Sequence, residues 1–279
     1  MTVLIPEEKQ YQLLREDGKR LDGRALDEMR PFSCKIGVLP NADGSAYVEH
    51  GGNKIYAGVY GPREVHPRHL AKPDRGIIQC YYRMATFSVH ERASPAPNRR
   101  AHEISKIMED ALEPTLFLEL YPDTTIEVYV TVIAAAGGTR CASTTCASLA
   151  LADAGIPMKT LVAGIAAGKV NGEIILDCND AEDKAGDADV PAAVQMKDGK
   201  ITLLQFDGQM TPDELNKGMD YIQKGAKQIF EKQVAAIKGK FEQVQEEAKE
   251  EDTKADEKKE KGDKQPEAAP SADSEGGNK

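Results

Sequence analysis

The chain has 279 residues, of which 40% are hydrophobic and 29% charged, a balance typical of a globular protein with one large domain or two small ones. We expect no membrane segment and no signal peptide, because no apolar run approaches spanning length and the N-terminus lacks an apolar core. The five cysteines lack the spacing of a zinc site, and reduced thiols fit a cytoplasmic location.

The net charge of −10 is distributed unevenly along the chain. Residues 241–279 contain 13 acidic and 7 basic side chains, whereas residues 61–100 contain 8 basic and 3 acidic ones. A locally basic region can bind a polyanion although the whole chain is acidic. A solvated loop with scattered charges accounts for the same composition.

The N-terminal half begins with about 30 polar residues that carry a short helical pattern near Glu7–Arg15. Four β-type segments follow, at Cys34–Leu39, Ala46–His50, Lys54–Tyr60 and Ile77–Ser88. Arg99–Leu120 has apolar residues at helical spacing, and Pro114 is expected to divide or kink this helix.

A glycine turn, Gly137–Arg140, lies between a β-type run and a helical run. The residues before it, Thr125–Ile133, are rich in β-branched side chains, and those after it, Cys141–Gly155, are rich in Ala, Ser, Thr and Leu. A strand, a glycine turn and a helix start together form an anion site, since free N–H groups point out of the first helical turn. The spacing matches neither a P-loop nor a dinucleotide fingerprint, so a purely structural turn remains the alternative.

The C-terminal half repeats this alternation. We predict strands at Thr160–Lys169, Glu173–Asp177, Val190–Met196 and Ile201–Phe206. The last helix is predicted to open at Thr211, with Pro212 at its first position and Glu214 closing a capping box. From residue 241 the apolar residues run out, and we predict a disordered acidic tail over 241–279.

Two further clusters carry chemistry. Arg99 and Arg100 stand at a predicted helix start, where the helix dipole disfavours cations, which hints at function, although both side chains can simply point into solvent. The acidic segment 177–189 is predicted to be a loop between two strands. Asp183 and Asp189 can face one cavity across it, where paired carboxylates would hold Mg²⁺ or supply a proton. An exposed acidic turn is the simpler interpretation.

Several motifs resemble the RNase PH superfamily, in the same order along residues 8–240. They are Arg20-Leu21-Asp22-Gly23-Arg24, Pro97-Asn98-Arg99-Arg100 and Gly137-Gly138-Thr139-Arg140. Other blocks are similar to the archaeal exosome branch of that family, namely 61–69, 150–158, 175–191 and 210–214. The resemblance implies an α+β RNase PH fold (ribosomal protein S5 domain 2-like), with two βαβα-like halves and a long C-terminal helix. It implies one RNase PH-like domain over 1–240, with its core at about 20–240.

The resemblance also implies an activity. Enzymes of this family degrade single-stranded RNA from its 3′ end with inorganic phosphate as co-substrate, release nucleoside diphosphates, and run the reverse RNA-tailing reaction. By matching motifs, Gly138, Thr139 and Arg140 would bind the phosphate with help from Arg99.

The remaining roles follow by the same resemblance. Arg99 and Arg100 would hold the terminal phosphates of the RNA, and Arg68 and His69 would line the entry for single strands. Asp183 would be the general acid or a ligand of a possible Mg²⁺, with Asp189 supporting it or sharing the metal. Many relatives carry aspartate where this chain has Ala136, which leaves open whether that residue only braces the turn.

The expected assembly is a hetero-hexameric ring, a trimer of dimers, in which this subunit alternates with an inactive RNase PH-like partner. RNA-binding cap subunits would cover one face. Two alternatives are a catalytically silent RNA-binding scaffold subunit and a homo-hexameric RNase PH that trims tRNA ends. The arginines at 99, 100 and 140 together with Asp183 disfavour the first, and the exosome-type blocks and long last helix disfavour the second.

Overall fold

The computed structural model describes residues 13–15 and 18–262, with side chains described up to residue 242. Most of the helix predicted near Glu7–Arg15 lies outside these residues, and Leu14 instead forms an isolated bridge with Arg20. The described chain divides into two compact units, with the boundary between Ile237 and Lys238. No helix in the described part of the chain is long and apolar enough to cross a membrane.

Five strands form the first sheet, in the order β1-β2-β3-β5-β4. Their bounds are β1 Phe32–Ile36, β2 Gly44–His50, β3 Asn53–Glu64, β4 Ile77–Met84 and β5 Thr124–Ala134. Neighbouring strands are antiparallel except for β4 and β5, which are parallel and joined through the helix α1, Arg99–Leu112. Helix α1 ends before Pro114, which starts a short 3-10 turn at Glu113–Thr115, so the predicted division is confirmed.

The second sheet is antiparallel and has the order β10-β8-β6-β7, with β9 also paired to β8. Its strands are β6 Val162–Val170, β7 Glu173–Leu176, β8 Ala188–Gln195, β9 Lys200–Leu204 and β10 Asp207–Gly208. The sequence prediction of a loop over 177–189 was wrong in part, because α3, Asp180–Ala185, forms inside it. Asn179 and Glu182 cap this short helix reciprocally, which stabilises it without an apolar stripe.

Helix α2, Thr139–Asp153, lies between the two sheets. The Sγ of Cys146 lies 3.5 Å from the carbonyl oxygen of Ala46 in β2, and the Oγ1 of Thr145 accepts the N–H of Gly164 in β6 at 2.9 Å. Almost every residue of α2 is buried, and small side chains make such a central position possible. A Cβ at Gly164 would lie 2.5 Å from the carbonyl oxygen of Cys141, so only glycine permits this close packing.

Helix α4, Pro212–Gly262, covers the other face of the second sheet with its buried residues Ile222, Ala226 and Ile229. Its predicted capping box is confirmed, since Thr211 N–H donates to Glu214 at 2.7 Å and Glu214 N–H to Thr211 at 3.3 Å. The helix continues past residue 241 to Gly262. The predicted disorder of the acidic tail stays a prediction, and residues 263–279 lie outside the described part.

The fold is thus a mixed α+β architecture of two sheets with a long C-terminal helix, as the sequence predicted. The starts of α2 and α3 and the start of β8 meet at one side of the second sheet, and this places the candidate site.

Candidate active site

The glycine turn reverses the chain between β5 and α2. Gly137 and Gly138 have φ angles of +82° and +69°, in the left-handed region that glycine adopts without strain. A Cβ on Gly137 would lie 2.5 Å from the backbone nitrogen of Asp180, so this residue packs directly on the start of α3. Gly138 caps α2 without any side-chain hydrogen bond, which leaves the helix start open to an anion.

Buried polar side chains brace this turn from below. Ala136 N–H donates to the Oδ1 of Asn53, and the Nδ2 of Asn53 donates to the carbonyl oxygen of Gly137, both at 2.6 Å. The guanidinium of Arg30 donates to the carbonyl oxygens of Ala136 at 2.6 Å and Gly137 at 3.3 Å. The backbone of Ala136 is therefore held on both its donor and its acceptor side without any polar side chain at that position.

This bracing predicts the effect of Asn53→Ala. The substitution leaves the Ala136 N–H without a partner, which costs about 1–3 kcal/mol, and leaves the carbonyl oxygen of Gly137 with Arg30 as its donor. We expect a lower midpoint of denaturant unfolding together with weaker phosphate binding, measured by urea titration and by calorimetry. Asn41→Ala, in the loop before β2, is the control and is expected to change neither quantity. Native-like phosphate binding by the Asn53 variant would contradict the bracing role.

Asp183 and Asp189 line one cavity of about 470 Å³ together with Arg140, as the sequence suggested. Asp183 is exposed on α3, whereas Asp189 is half-buried as the second residue of β8. Burial, the negative charge of Asp183 and a hydrogen bond to it raise the pKa of Asp189 to about 7, although Arg140 opposes the shift. Asp189 can therefore hold a proton near neutral pH beside the carboxylate of Asp183.

The other walls of this cavity were not predicted. Glu103 of α1 and Asp207 of β10 contribute carboxylates, and Gln205 accepts a hydrogen bond from the guanidinium of Arg140. That bond fixes the orientation of the Arg140 fork. The carboxylates at 103, 183, 187, 189 and 207 outnumber the cations Arg140 and Lys184, so the cavity is acidic. No local sequence pattern indicated Glu103 and Gln205 as cavity residues, because they lie on separate elements.

Arg99 and Arg100 are exposed at the first turn of α1, one turn before Glu103. The side chain of Asn98 caps this helix by accepting the N–H of Ala101 at 2.8 Å. Tyr82 donates to the Oγ1 of Thr139 at 3.1 Å. Burial raises the pKa of Tyr82, whereas its bond to Thr139 and the charges of Arg100 and Arg140 lower it. The start of α1 is thus within electrostatic reach of the glycine turn, although neither Arg99 nor Arg100 lines the cavity of Asp183.

Arg68 and His69 lie elsewhere, in a short 3-10 turn at Arg68–Leu70 between β3 and β4. Both are exposed, and Arg68 pairs with Glu64 at 2.7 Å. They do not line the cavity of Asp183, so the described chain does not bring them to the other predicted site residues.

A network of buried ion pairs, which the sequence did not predict, lies beneath the site. Arg20, which is 0% exposed, pairs with Glu182, and Arg30 pairs with Asp177. His50 lies 3.1 Å from the carboxylate of Asp177. The partners are 147 and 162 residues apart, so local patterns do not reveal them. The motif at 20–24 was visible only as part of a family resemblance.

The chemistry available is binding of an anion beside a proton donor. The open start of α2 and the guanidinium of Arg140 suit a tetrahedral oxyanion, and the raised pKa of Asp189 suits protonation of a leaving oxygen. Among the described residues, no group of three or more His, Cys, Asp or Glu side chains is arranged to hold a metal ion. Two carboxylates would suffice for Mg²⁺, which completes its shell with water and substrate phosphate oxygens.

Comparisons with known proteins agree with this chemistry. Models of the 3′ exoribonuclease family match the chain, domain 1 over residues 28–157 and domain 2 over 160–224. The exosome complex component Rrp41 of Methanopyrus kandleri is 55% identical over 235 residues, covering 84% of this chain and 98% of the relative. The protein of the same name from Thermococcus onnurineus is 54% identical over 236 residues, covering 85% and 95%.

Two solved structures share the fold. The Archaeoglobus fulgidus exosome with RNA bound to the active site contains a chain that aligns with a TM-score of 0.69 and 21% identity, covering 77% of this chain and 93% of that one. Rice Rrp46 aligns with a TM-score of 0.68 and 24% identity, covering 75% and 95%. At these identities the likeness concerns the fold alone.

Proposed function

Because the chain belongs to the 3′ exoribonuclease family, with both domains of that family present, we propose that it degrades single-stranded RNA from the 3′ end by phosphorolysis. One observation carries the proposal: Arg140 of the glycine turn lines the same cavity as Asp183 and Asp189, and the pKa of Asp189 is raised to about 7. An anionic nucleophile and a proton donor are the two reagents that phosphorolysis needs.

Inorganic phosphate binds at Gly138, Thr139 and Arg140 in this proposal. Its approach to the RNA phosphodiester brings two anions together, which repel by about 4 kcal/mol at 4 Å and an effective dielectric constant of 20. A charge-assisted hydrogen bond contributes roughly 1.5–3 kcal/mol, so Arg140 needs help from the N–H groups of α2 and from Arg99. Arg99 and Arg100 also hold the terminal phosphates of the RNA.

The carboxylate pair completes the reaction. A phosphate oxygen forms a bond to the terminal phosphorus, the bond from that phosphorus to the 3′ oxygen breaks, and a nucleoside diphosphate leaves. The 3′ oxygen takes a proton from the pair Asp183 and Asp189, of which Asp183 is the exposed member and Asp189 has the raised pKa. The reverse sequence adds a nucleotide to the RNA and returns the proton.

Binding of Mg²⁺ is the alternative role of these carboxylates, because a carboxylate that holds the ion is deprotonated. Asp183 and Asp189 would hold it, and it would neutralise charge on the phosphate oxygens when bound. The acidic balance of the cavity supports this assignment, since five carboxylates face two cations there.

The proposed assembly is a hexameric ring in which the chain alternates with an inactive RNase PH-like subunit, beneath RNA-binding caps. The similarity to exosome components supports membership of such a complex. Arg68 and His69 would line the RNA entry of that ring. All five cysteines are free, which supports a reducing, cytoplasmic location.

The test is incubation of the full chain with labelled RNA, with and without phosphate and with and without the partner subunit. We expect decay only when phosphate is present, with nucleoside diphosphates as products. Decay by the chain alone would favour a homo-hexamer over the alternating ring. Undiminished decay without phosphate would overturn the mechanism, and RNA binding without decay would favour the silent scaffold subunit.

A further inference from the structure

The two halves of the cavity are tied together underneath by buried charges. The glycine turn lies on one side of the cavity, and α3, which carries Asp183, lies on the other side. They touch directly at Gly137, where even a methyl group would collide with the backbone of Asn179 and Asp180. Their relative position therefore decides the distance between the phosphate and the proton donor.

On the phosphate side, Arg30 links the turn to Asp177. Its Nε and Nη2 donate to the two carboxylate oxygens of Asp177 at 2.9 and 2.6 Å, and its backbone N–H donates to the same carboxylate at 2.8 Å. The guanidinium also holds the carbonyl oxygens of Ala136 and Gly137. Burial alone would raise the pKa of Asp177, but His50 and Arg30 hold it well below its usual range. Asp177 is thus a fixed anion beneath the turn.

On the acid side, Arg20 links the same segment to α3. Its Nη2 donates to the carbonyl oxygen of Asp177 at 2.8 Å, and its Nε donates to Glu182 at 2.8 Å. Glu182 also accepts the N–H of Asn179 at 2.8 Å and so closes the cap of α3. The next residue is Asp183. Asp177 thus receives bonds from both sides, through its carboxylate and its carbonyl oxygen.

We propose that the pairs Arg20–Glu182 and Arg30–Asp177 are positioning residues that set the distance from Asp183 to the phosphate and to Asp189. A buried ion pair is weak evidence for stability, because desolvation offsets its attraction, whereas fixing one arrangement is a role such groups can serve. The inference deepens the proposed function and rests on it. In this proposal the four charged side chains of the two pairs position Asp183 without contacting RNA or phosphate.

Glu182→Gln tests the acid side with little change of shape. We expect kcat to fall roughly 10- to 100-fold, as for a small misplacement of a reacting group, while the KM for RNA stays unchanged. A lower kcat with an unchanged KM for RNA is the result expected when the proton donor is displaced and the RNA contacts are kept.

Glu214→Gln is the matched control. Glu214 also closes a capping box, that of α4, and also pairs with a cation, Lys169, at 2.8 Å, but it does not line the cavity. We expect it to leave kcat unchanged. A similar loss of kcat in both variants would mean that the pairs are structural and would overturn the proposal.

Arg30→Lys tests the phosphate side, because lysine keeps the positive charge near Asp177 but loses the fork that reaches the turn. Here the expected change is a higher KM for phosphate with the KM for RNA unchanged. The amide of Asp183 donates to the carbonyl oxygen of Asn179 at 2.8 Å. We expect faster hydrogen exchange at this amide too, because Arg30 and Arg20 both bind Asp177 and so connect the turn with α3. If only the amides next to residue 30 exchange faster and that of Asp183 does not, the proposed coupling between Arg30 and α3 is overturned.

The hydrogen-exchange measurement needs no RNA, so it tests the positioning role of the ion pairs separately from the proposed function. If the native complex makes no nucleoside diphosphate, the proposed function fails, and the exchange of α3 in Arg30→Lys still decides the coupling. A Glu182→Gln chain that does not fold leaves this second variant as the deciding test.

Discussion

Asp183→Asn is expected to abolish RNA decay while RNA binding persists. The exposed carboxylate of the pair is lost, and proton donation of this kind contributes about 10²–10⁴-fold to a rate. Its charge also helps to raise the pKa of Asp189, so Asp189 becomes more ionised at neutral pH and donates less well. The measurement is the single-turnover rate on labelled RNA, beside the dissociation constant from gel shift.

Asp180→Asn serves as the control for this prediction. Asp180 lies on the same short helix, is exposed and pairs with Lys184 at 2.7 Å, but it does not line the cavity. We expect native rates from it. Native rates from Asp183→Asn would show that Asp183 is not the proton donor. Loss of RNA binding in that variant would make Asp183 a binding residue instead.

Arg140→Gln is expected to raise the KM for phosphate about 10- to 150-fold, the equivalent of one charge-assisted hydrogen bond. A second effect concerns pH. The charge of Arg140 lowers the pKa of Asp189, so its removal raises that pKa and moves the alkaline limb of the rate to higher pH. Initial rates over a phosphate series at several pH values measure both effects.

Arg75→Gln provides the comparison, because Arg75 is a partly exposed arginine paired with Glu113 at 3.2 Å, away from the cavity. We expect its KM for phosphate and its pH limbs to match those of the native chain. If Arg140→Gln kept a native KM for phosphate, the glycine turn would be a structural turn and the nucleophile would bind elsewhere.

Much of the site was predictable because its signals are local. Two adjacent glycines before an Ala- and Ser-rich run predict an open helix start, and Gly138 does cap α2 there. Pro114 predicts the end of α1 for an equally local reason. Helix α3 was missed because its six residues, four charged and two alanine, show no apolar period, although Asn179 and Glu182 have the spacing of a capping box.

The remainder depends on tertiary structure. Arg20 and Glu182 are 162 residues apart in the sequence, and both become buried only in the folded chain. The raised pKa of Asp189 likewise depends on burial and on the approach of Asp183, and neither can be deduced from sequence spacing. The hydrogen bonds that the backbone of Ala136 forms with Asn53 and Arg30 likewise join residues that are far apart in the sequence.

The central claim is that the glycine turn holds the phosphate that attacks the RNA. Incubating the complete enzyme with RNA and ¹⁸O-labelled phosphate, followed by mass spectrometry of the released nucleotides, tests it most directly. We predict nucleoside diphosphates whose terminal phosphate carries the label, with the signal lost in Arg140→Gln at low phosphate. Nucleoside monophosphates that take their new oxygen from water would contradict the account.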